Sequence, residues 1–273
     1  MPNYQNKKQP PNMNLVSVLM AVKNSERTLS CAISSILNQT YKNFEFIIID
    51  DGSTDKTWDI LKGLIDDRLK LKRNERSYGL AFSLNKAFHA SSGEYLARMD
   101  ADDEAFPFRL EAQVSFLNRD AGIDIVGSCA VIKNEQGRIF GVRKVETDHV
   151  RMIENIFQEV PFIHPTVMMR RKVLSDLGGY NPNLLKAQDW DLWLRARRKF
   201  VFANLPEPLL YYTQKSNRPS VKDFFLVRRT ALQVLHSRIK EERLSKTAYS
   251  IWTWQTLKAT FRWLIGTKWQ HPV

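Results

Sequence analysis

The chain has little with which to cross-link itself. Among 273 residues there are two cysteines, Cys31 and Cys129, each inside an apolar segment, with no Cys-x-x-Cys pair and no Cys/His cluster. That excludes a disulfide framework and a structural zinc site, and it fits a reducing compartment. No run of about 18 uninterrupted apolar residues occurs, so no transmembrane helix is predicted. The first residues, MPNYQNKKQPPNMN, are polar and lack the apolar core of a signal segment. Internal repeats and low-complexity tracts are absent as well. These absences predict a cytoplasmic protein whose contact with a membrane, if it has one, is peripheral.

What is present is ordinary globular composition: 43% hydrophobic and 26% charged residues. That rules out wholesale disorder. The formal net charge of +12 calls for an anionic partner, whether nucleic acid, a phosphorylated substrate or an acidic membrane surface. The excess is concentrated late, because residues 221–273 hold ten Lys/Arg against three Asp/Glu.

LVSVLMAV (15–22) and FEFIIID (44–50) are continuous apolar runs of buried-strand length. Ser25 is placed to cap a helix whose apolar positions are Leu29, Ile33, Ile36 and Leu37. After the turn-forming DGSTD, the positions Trp58, Leu61 and Ile65 mark a second helix. LKLKRN (69–74) alternates like an edge strand. A third helix carries Leu80, Leu84, Ala87 and Phe88, and EYLARM (94–99) is a fourth strand. Pro107 suits the first turn of a helix with Leu110, Val114 and Leu117. Strand and helix therefore alternate through residue 119. That predicts an α/β fold: a Rossmann-type, mostly parallel sheet with helices on both faces.

The later part reads less regularly. A hairpin spans 123–145 and turns at Glu135-Gln136-Gly137. A helix near 147–157 follows, then a strand at 166–170, a short helix ended by Gly178-Gly179, a helix at 187–200 and extended chain over 201–213.

Ligands of such sheets bind beyond the carboxyl ends of the strands, where Asp50-Asp51 and Asp100-Ala101-Asp102-Asp103 fall. Two readings stand for the second cluster. It is either a solvated Asp-rich loop or a site for a divalent cation that bridges protein to phosphate.

Four segments in order, VSVLMAVKN (16–24), IIIDDGSTD (47–55), GEYLARMDADD (93–103) and AQDWDLWLR (187–195), resemble the inverting family 2 glycosyltransferases of GT-A fold. Within that family the resemblance points to bacterial enzymes that build surface polysaccharide or lipopolysaccharide. It implies a nucleotide-diphosphate sugar donor, in particular a UDP-sugar, a saccharide or lipid-linked acceptor, and Mn2+ or Mg2+ as cofactor. Residue by residue, it implies that Ala21 and Val22 lie against the base and that Asp51 meets the uracil edge, while Asp50 orders its turn. Asp100 then lies near the ribose, with Ala101 beside it, and Asp102 holds the metal at the diphosphate. Asp189 is the general base, preceded by Gln188 where relatives often carry Glu.

Weaker candidates are Arg76 for the nucleotide and His164, Trp190 and Trp193 for the acceptor side. For each the plainer reading is an exposed loop arginine, a structural histidine or a core tryptophan. Many relatives have an Arg and a His after the strand at 207–213. This chain has Gln214 and Lys215, so Lys215 is a candidate to neutralise the diphosphate, or is simply a solvated lysine.

The resulting division is a polar tail (1–14), a catalytic domain (15–220) and an extension (221–273). Within the domain, 15–103 is the nucleotide-binding half and 104–220 the acceptor half. Over 247–269, Trp254, Leu257, Phe261, Leu264 and Ile265 form an apolar stripe beside Lys258 and Arg262. This describes either a helix lying on an anionic membrane surface or one packed against the domain. Two other functions fit the composition, a sugar nucleotidyltransferase and a basic nucleic-acid-binding protein. The first lacks its glycine-rich loop, because AVKNSERT after the first strand has no glycine. The second meets a carboxylate-lined pocket that repels a phosphate backbone.

Overall fold

A computed structural model describes residues 14–157, 159–214, 229–234 and 236. Its centre is the pair β1 (Val16–Val22) and β2 (Phe44–Asp50), whose residues are almost all buried. With β3 (Leu69–Arg73) and β4 (Tyr95–Met99) they form a parallel block in the order β3-β2-β1-β4. The crossovers are α1 (Leu29–Leu37), α2 (Thr57–Lys62) and α3 (Leu80–His89). Parallel strands buried on both faces require continuous apolar runs, which is what the two central strands supply.

The period of two divides the core into layers. Val16, Val18 and Met20 of β1, with Phe46 and Ile48 of β2, pack on α1 and on α4 (Arg109–Arg119). Leu19, Ile47 and Ile49 face the opposite way, onto α3 and α7 (Gln188–Ala196). Ala231 and Val234, at the start of the basic extension, are buried in this second layer.

Past β4 the sheet becomes mixed. β8 (Met168–Arg170) runs antiparallel to β4, and β6 (Ile125–Lys133) antiparallel to β8. β9 (Phe202–Thr213) lies parallel to β6, and the two-residue β5 (Glu104–Ala105) closes the edge. β7 (Ile139–Arg143) branches from β6 as the expected hairpin. β9 contains Pro206 and Pro208, which cannot donate to a ladder, and its register with β6 slips where Cys129 faces Pro208.

Three local expectations differ from the structure. Ser25 does not cap α1; its carbonyl accepts the N–H groups of Thr28 and Leu29 in a preceding turn, and the helix starts after Thr28. α2 stops at Gly63, which leaves Ile65 99% exposed instead of on a buried helix face. Pro107 lies before α4, where its carbonyl accepts the N–H of Thr40 (2.8 Å). Two further short helices, α5 (His149–Glu154) and α6 (Arg171–Leu177), flank the second half. Among the described residues, no helix is long and apolar enough to cross a membrane.

Candidate active site

The register brings Val22, Asp50 and Met99 to one end of the sheet, so Asp51 and Asp100 step off the two strands that flank β1. Asp50 is fully buried. It accepts from the backbone and hydroxyl of Ser53 and pairs with Arg73 Nε at 2.9 Å, which orders the turn as expected. Gly52 follows at φ +67°, and a Cβ there would lie 2.7 Å from the carbonyl carbon of Arg76. Only glycine meets both demands.

Asp51 binds the loop that crosses Gly52. Its Oδ1 accepts from Asn74 Nδ2 (2.7 Å), Tyr78 N (2.9 Å) and Ser83 Oγ (3.0 Å). Its Oδ2 accepts from Ser77 Oγ (2.7 Å) and Gly79 N (2.9 Å). Burial pushes this carboxyl up, but the donors outweigh it and hold it below the usual range. With five donors its acceptor capacity is full, so a base edge that reaches Asp51 must displace one of them. Ala21 is half-buried and Val22 buried at the end of β1, and exposed Arg76 lays its guanidinium over the Tyr78 ring at 5.2 Å.

Carboxylate oxygens of Asp100, Asp102 and Asp103 converge to within 4.8 Å of one another. Beneath them, Arg98 is a charged residue in an apolar strand, with its side chain 5% exposed and ion-paired to Asp100. Arg109 is wholly buried and donates to the carbonyls of Arg98 (2.7 Å) and Val167 (3.4 Å). Burial, and then the neighbouring Arg98 charge, bring Arg109 down to about 9. Asp103 Oδ1 accepts from Thr213 N (2.8 Å), while its buried Oδ2 has no hydrogen-bond partner among the described residues. Burial and the charge of Asp100 push the Asp103 carboxyl well up. Three hard oxygen donors, one of them orphaned and destabilised as an anion, fit a divalent cation of the Mg2+ or Mn2+ kind.

Asp189 stands half-buried in the first turn of α7, entered through Ala187 in the left-handed region at φ +55°. A non-glycine residue there is strained, as is common where a functional group must be aimed. Burial raises the Asp189 carboxyl, and the Trp190 N–H and the Arg98 charge oppose that rise. Asp189, Asp100 and Arg98 thus lie within electrostatic reach of one another. Asp191, two residues on, is instead bound to Arg195 (2.9 Å) and buried.

His164 is buried, with Nε2 at 3.0 Å from the Tyr180 hydroxyl, and burial pushes its imidazole well below the usual value. It is therefore a neutral partner of Tyr180. Trp193 is fully enclosed, and Trp190 donates Nε1–H to the Ile156 carbonyl (2.8 Å). Both tryptophans are core residues, as their helical spacing also allowed. Lys215 and the stretch 247–269 lie outside the described residues. Arg98, Arg109 and Tyr180 were not singled out from the sequence, and Asp103 was read only as a member of its cluster, with no role of its own. The available signal was Arg98 itself, a charge where the strand pattern asks for an apolar residue.

The profile of glycosyl transferase family 2 matches residues 17–178, more than half of the chain. The chain belongs to that family. Its relatives include the O-antigen biosynthesis glycosyltransferase WbnJ of Escherichia coli, 33% identical over 219 residues, which cover 75% of this chain and 84% of WbnJ. Another Escherichia coli protein, the UDP-Glc:alpha-D-GlcNAc-diphosphoundecaprenol beta-1,3-glucosyltransferase WfaP, is 38% identical over 108 residues (40% of this chain, 43% of WfaP). Among solved structures, Staphylococcus aureus TarS 1–349 in complex with UDP superposes with a TM-score of 0.62 at 22% identity. That match covers 80% of this chain and 64% of TarS 1–349, so this chain spans less than two thirds of it.

The family 2 glycosyltransferase therefore has the expected GT-A fold. Membership removes the nucleotidyltransferase and nucleic-acid-binding alternatives. It also accounts for a carboxylate cluster in so basic a chain, since an enzyme that handles phosphorylated sugars can use both signs of charge.

Proposed function

We propose that this glycosyltransferase moves a sugar from a UDP-sugar to a hydroxyl of a saccharide or lipid-linked acceptor, with inversion, in the assembly of cell-surface polysaccharide. The observation that carries the reading is the convergence of Asp100, Asp102 and Asp103, with Arg98 paired to Asp100 and both within electrostatic reach of Asp189. The names of WbnJ and WfaP support the class of donor and acceptor.

In this reading residues 15–103 hold the donor and 104–220 face the acceptor. Ala21, Val22 and Asp51 border the base, Asp51 by exchanging a loop donor for it. Asp100 reaches the ribose, and Asp102, with the orphaned oxygen of Asp103, would hold Mg2+ or Mn2+. When bound, that ion stabilises negative charge on the departing diphosphate as a Lewis acid. Asp189 takes the proton of the acceptor hydroxyl as its oxygen bonds to the anomeric carbon. The bond to UDP breaks on the opposite face, which inverts the configuration. Arg98 keeps Asp100 aligned and offsets the carboxylates' mutual repulsion.

Thermal shift with UDP, with and without Mn2+, tests the reading. The parent is expected to gain several degrees only when both are present, because a ligand that binds the folded state alone stabilises it by mass action. Asp102→Asn should remain folded and lose that gain. An equal shift in parent and variant removes Asp102 from the metal site.

A further inference from the structure

The β6–β7 hairpin adjoins the carboxylate cluster through Lys133 and its ladder partner Thr213. At its tip the Asn134 side chain accepts from the N–H groups of Gln136 (3.1 Å) and Arg138 (2.8 Å). Next to that turn Lys133 pairs with Glu104, the residue after Asp103, and its carbonyl accepts from Gln214 N (2.7 Å). Thr213, which faces Lys133 across the ladder, donates to Asp103.

The β6–β7 register shifts between Ile132 and Lys133: Lys133 faces Ile139, while Ile132 faces Gly141. Phe140 is thus the inserted residue of a bulge, which breaks the in–out alternation. Consecutive Ile139 and Phe140 are both turned to solvent, 58% and 59% exposed, with Val142 at 37%. Single exposed apolar residues are ordinary, but three in four positions on this outer strand form a surface. Arg138, Arg143 and Lys144 flank it, and Arg138 lies over the Phe140 ring at 5.9 Å. None of these three cations has an ion-pair partner among the described residues. The acidic residue of the ribbon, Glu135, is at the exposed tip.

An apolar pair bordered by unpaired cations complements an anionic lipid surface, with side chains for the headgroup boundary and charge for the headgroups. A second copy of the chain fits less well. The bulge disrupts the flat edge that strand addition needs, and the cations of two copies would meet. We propose that the β6–β7 hairpin docks the enzyme on an anionic membrane by inserting Ile139 and Phe140, which holds the carboxylate cluster at the lipid surface. Its residues are not those of the basic stretch at 247–269, and its docking does not depend on the proposed transfer reaction.

The test is flotation of the full chain with phosphatidylglycerol–phosphatidylcholine vesicles, against phosphatidylcholine alone. The parent is expected to float with the anionic vesicles. The double variant Ile139→Ser/Phe140→Ser should bind them at least about tenfold more weakly, with melting temperature and donor-induced thermal shift unchanged. Arg138→Gln/Arg143→Gln should weaken binding at low salt and flatten its salt dependence. Vesicle binding by Ile139→Ser/Phe140→Ser equal to the parent's overturns the proposal, as does a parent that ignores anionic vesicles. So does a concentration-dependent dimer abolished by the same variant. Loss of the UDP shift with vesicle binding intact bears on the transfer reading alone.

Discussion

At Arg98 a positive charge sits inside an apolar strand, bordered by Asp100 and within electrostatic reach of Asp103, Tyr180 and Asp189. As the proposed base Asp189 acts only when ionised, and burial raises its carboxyl above the usual 3.8. Activity should therefore rise with pH through a midpoint above the ordinary aspartate value. Arg98→Met removes a charge that favours the ionised form, so the acid limb of kcat/KM should move to still higher pH. An unmoved limb in a folded variant excludes that coupling. Asp189→Asn should leave UDP binding unchanged and lower turnover by at least about a hundredfold, the usual scale of a lost general base. Near-parental turnover moves the role to another group.

Elements are fastened by buried polar residues that the apolar pattern does not mark. Glu45, in β2, accepts from Ser17 Oγ (2.6 Å) of β1 and from Ser92 N (2.6 Å) of the turn before β4, and it pairs with Lys70 of β3. Burial pushes Glu45 up, but Lys70, Ser17 and Ser92 together bring it down to about 2 from 4.5. A lowered folded-state value contributes stability above the unfolded value, and that contribution is lost as pH falls through the folded one. Glu45→Gln should therefore cost about 2 kcal/mol near neutrality. The gap to the parent should close between pH 4.5 and about 2, as read by urea unfolding. A gap that stays constant over this range rejects the assignment. Gly52→Ala should destabilise by at least about 1 kcal/mol, because an L residue is strained at φ +67° and meets the Arg76 backbone. A parental urea midpoint rules that strain out.

At the scale of the molecule, the described residues form a single nine-stranded sheet with a core layer on each face, and the proposed donor and acceptor halves share it. Stability should follow burial in that sheet, not local helical pattern. Ile48→Ala, at a fully buried position of β2, should cost about 3 kcal/mol in urea denaturation. Ile65→Ala, which helical spacing would also have put in a core, should change stability by less than about 0.5 kcal/mol at 99% exposure. Equal losses at the two positions are incompatible with the layered core.

The alternation of strand and helix through residue 119, the acidic strand ends and the ordered motifs were legible without coordinates. They rest on short-range causes: periods of two and 3.6, turn-forming clusters and contiguous residue types. The second half was less legible because its partners are far apart in the chain. Asp103 meets Thr213 across 110 positions. β5 is two residues long and is defined by β9, while the proline-bearing β9 is a strand only through β6. The same holds for the floor of the site. The sequence by itself determined that carboxylates gather where a parallel sheet binds ligands. Only tertiary structure decided that Arg98 and Arg109 underlie them and that Asp103 is buried with an orphaned oxygen, because charge, burial and acceptor capacity depend on what long-range packing brings alongside.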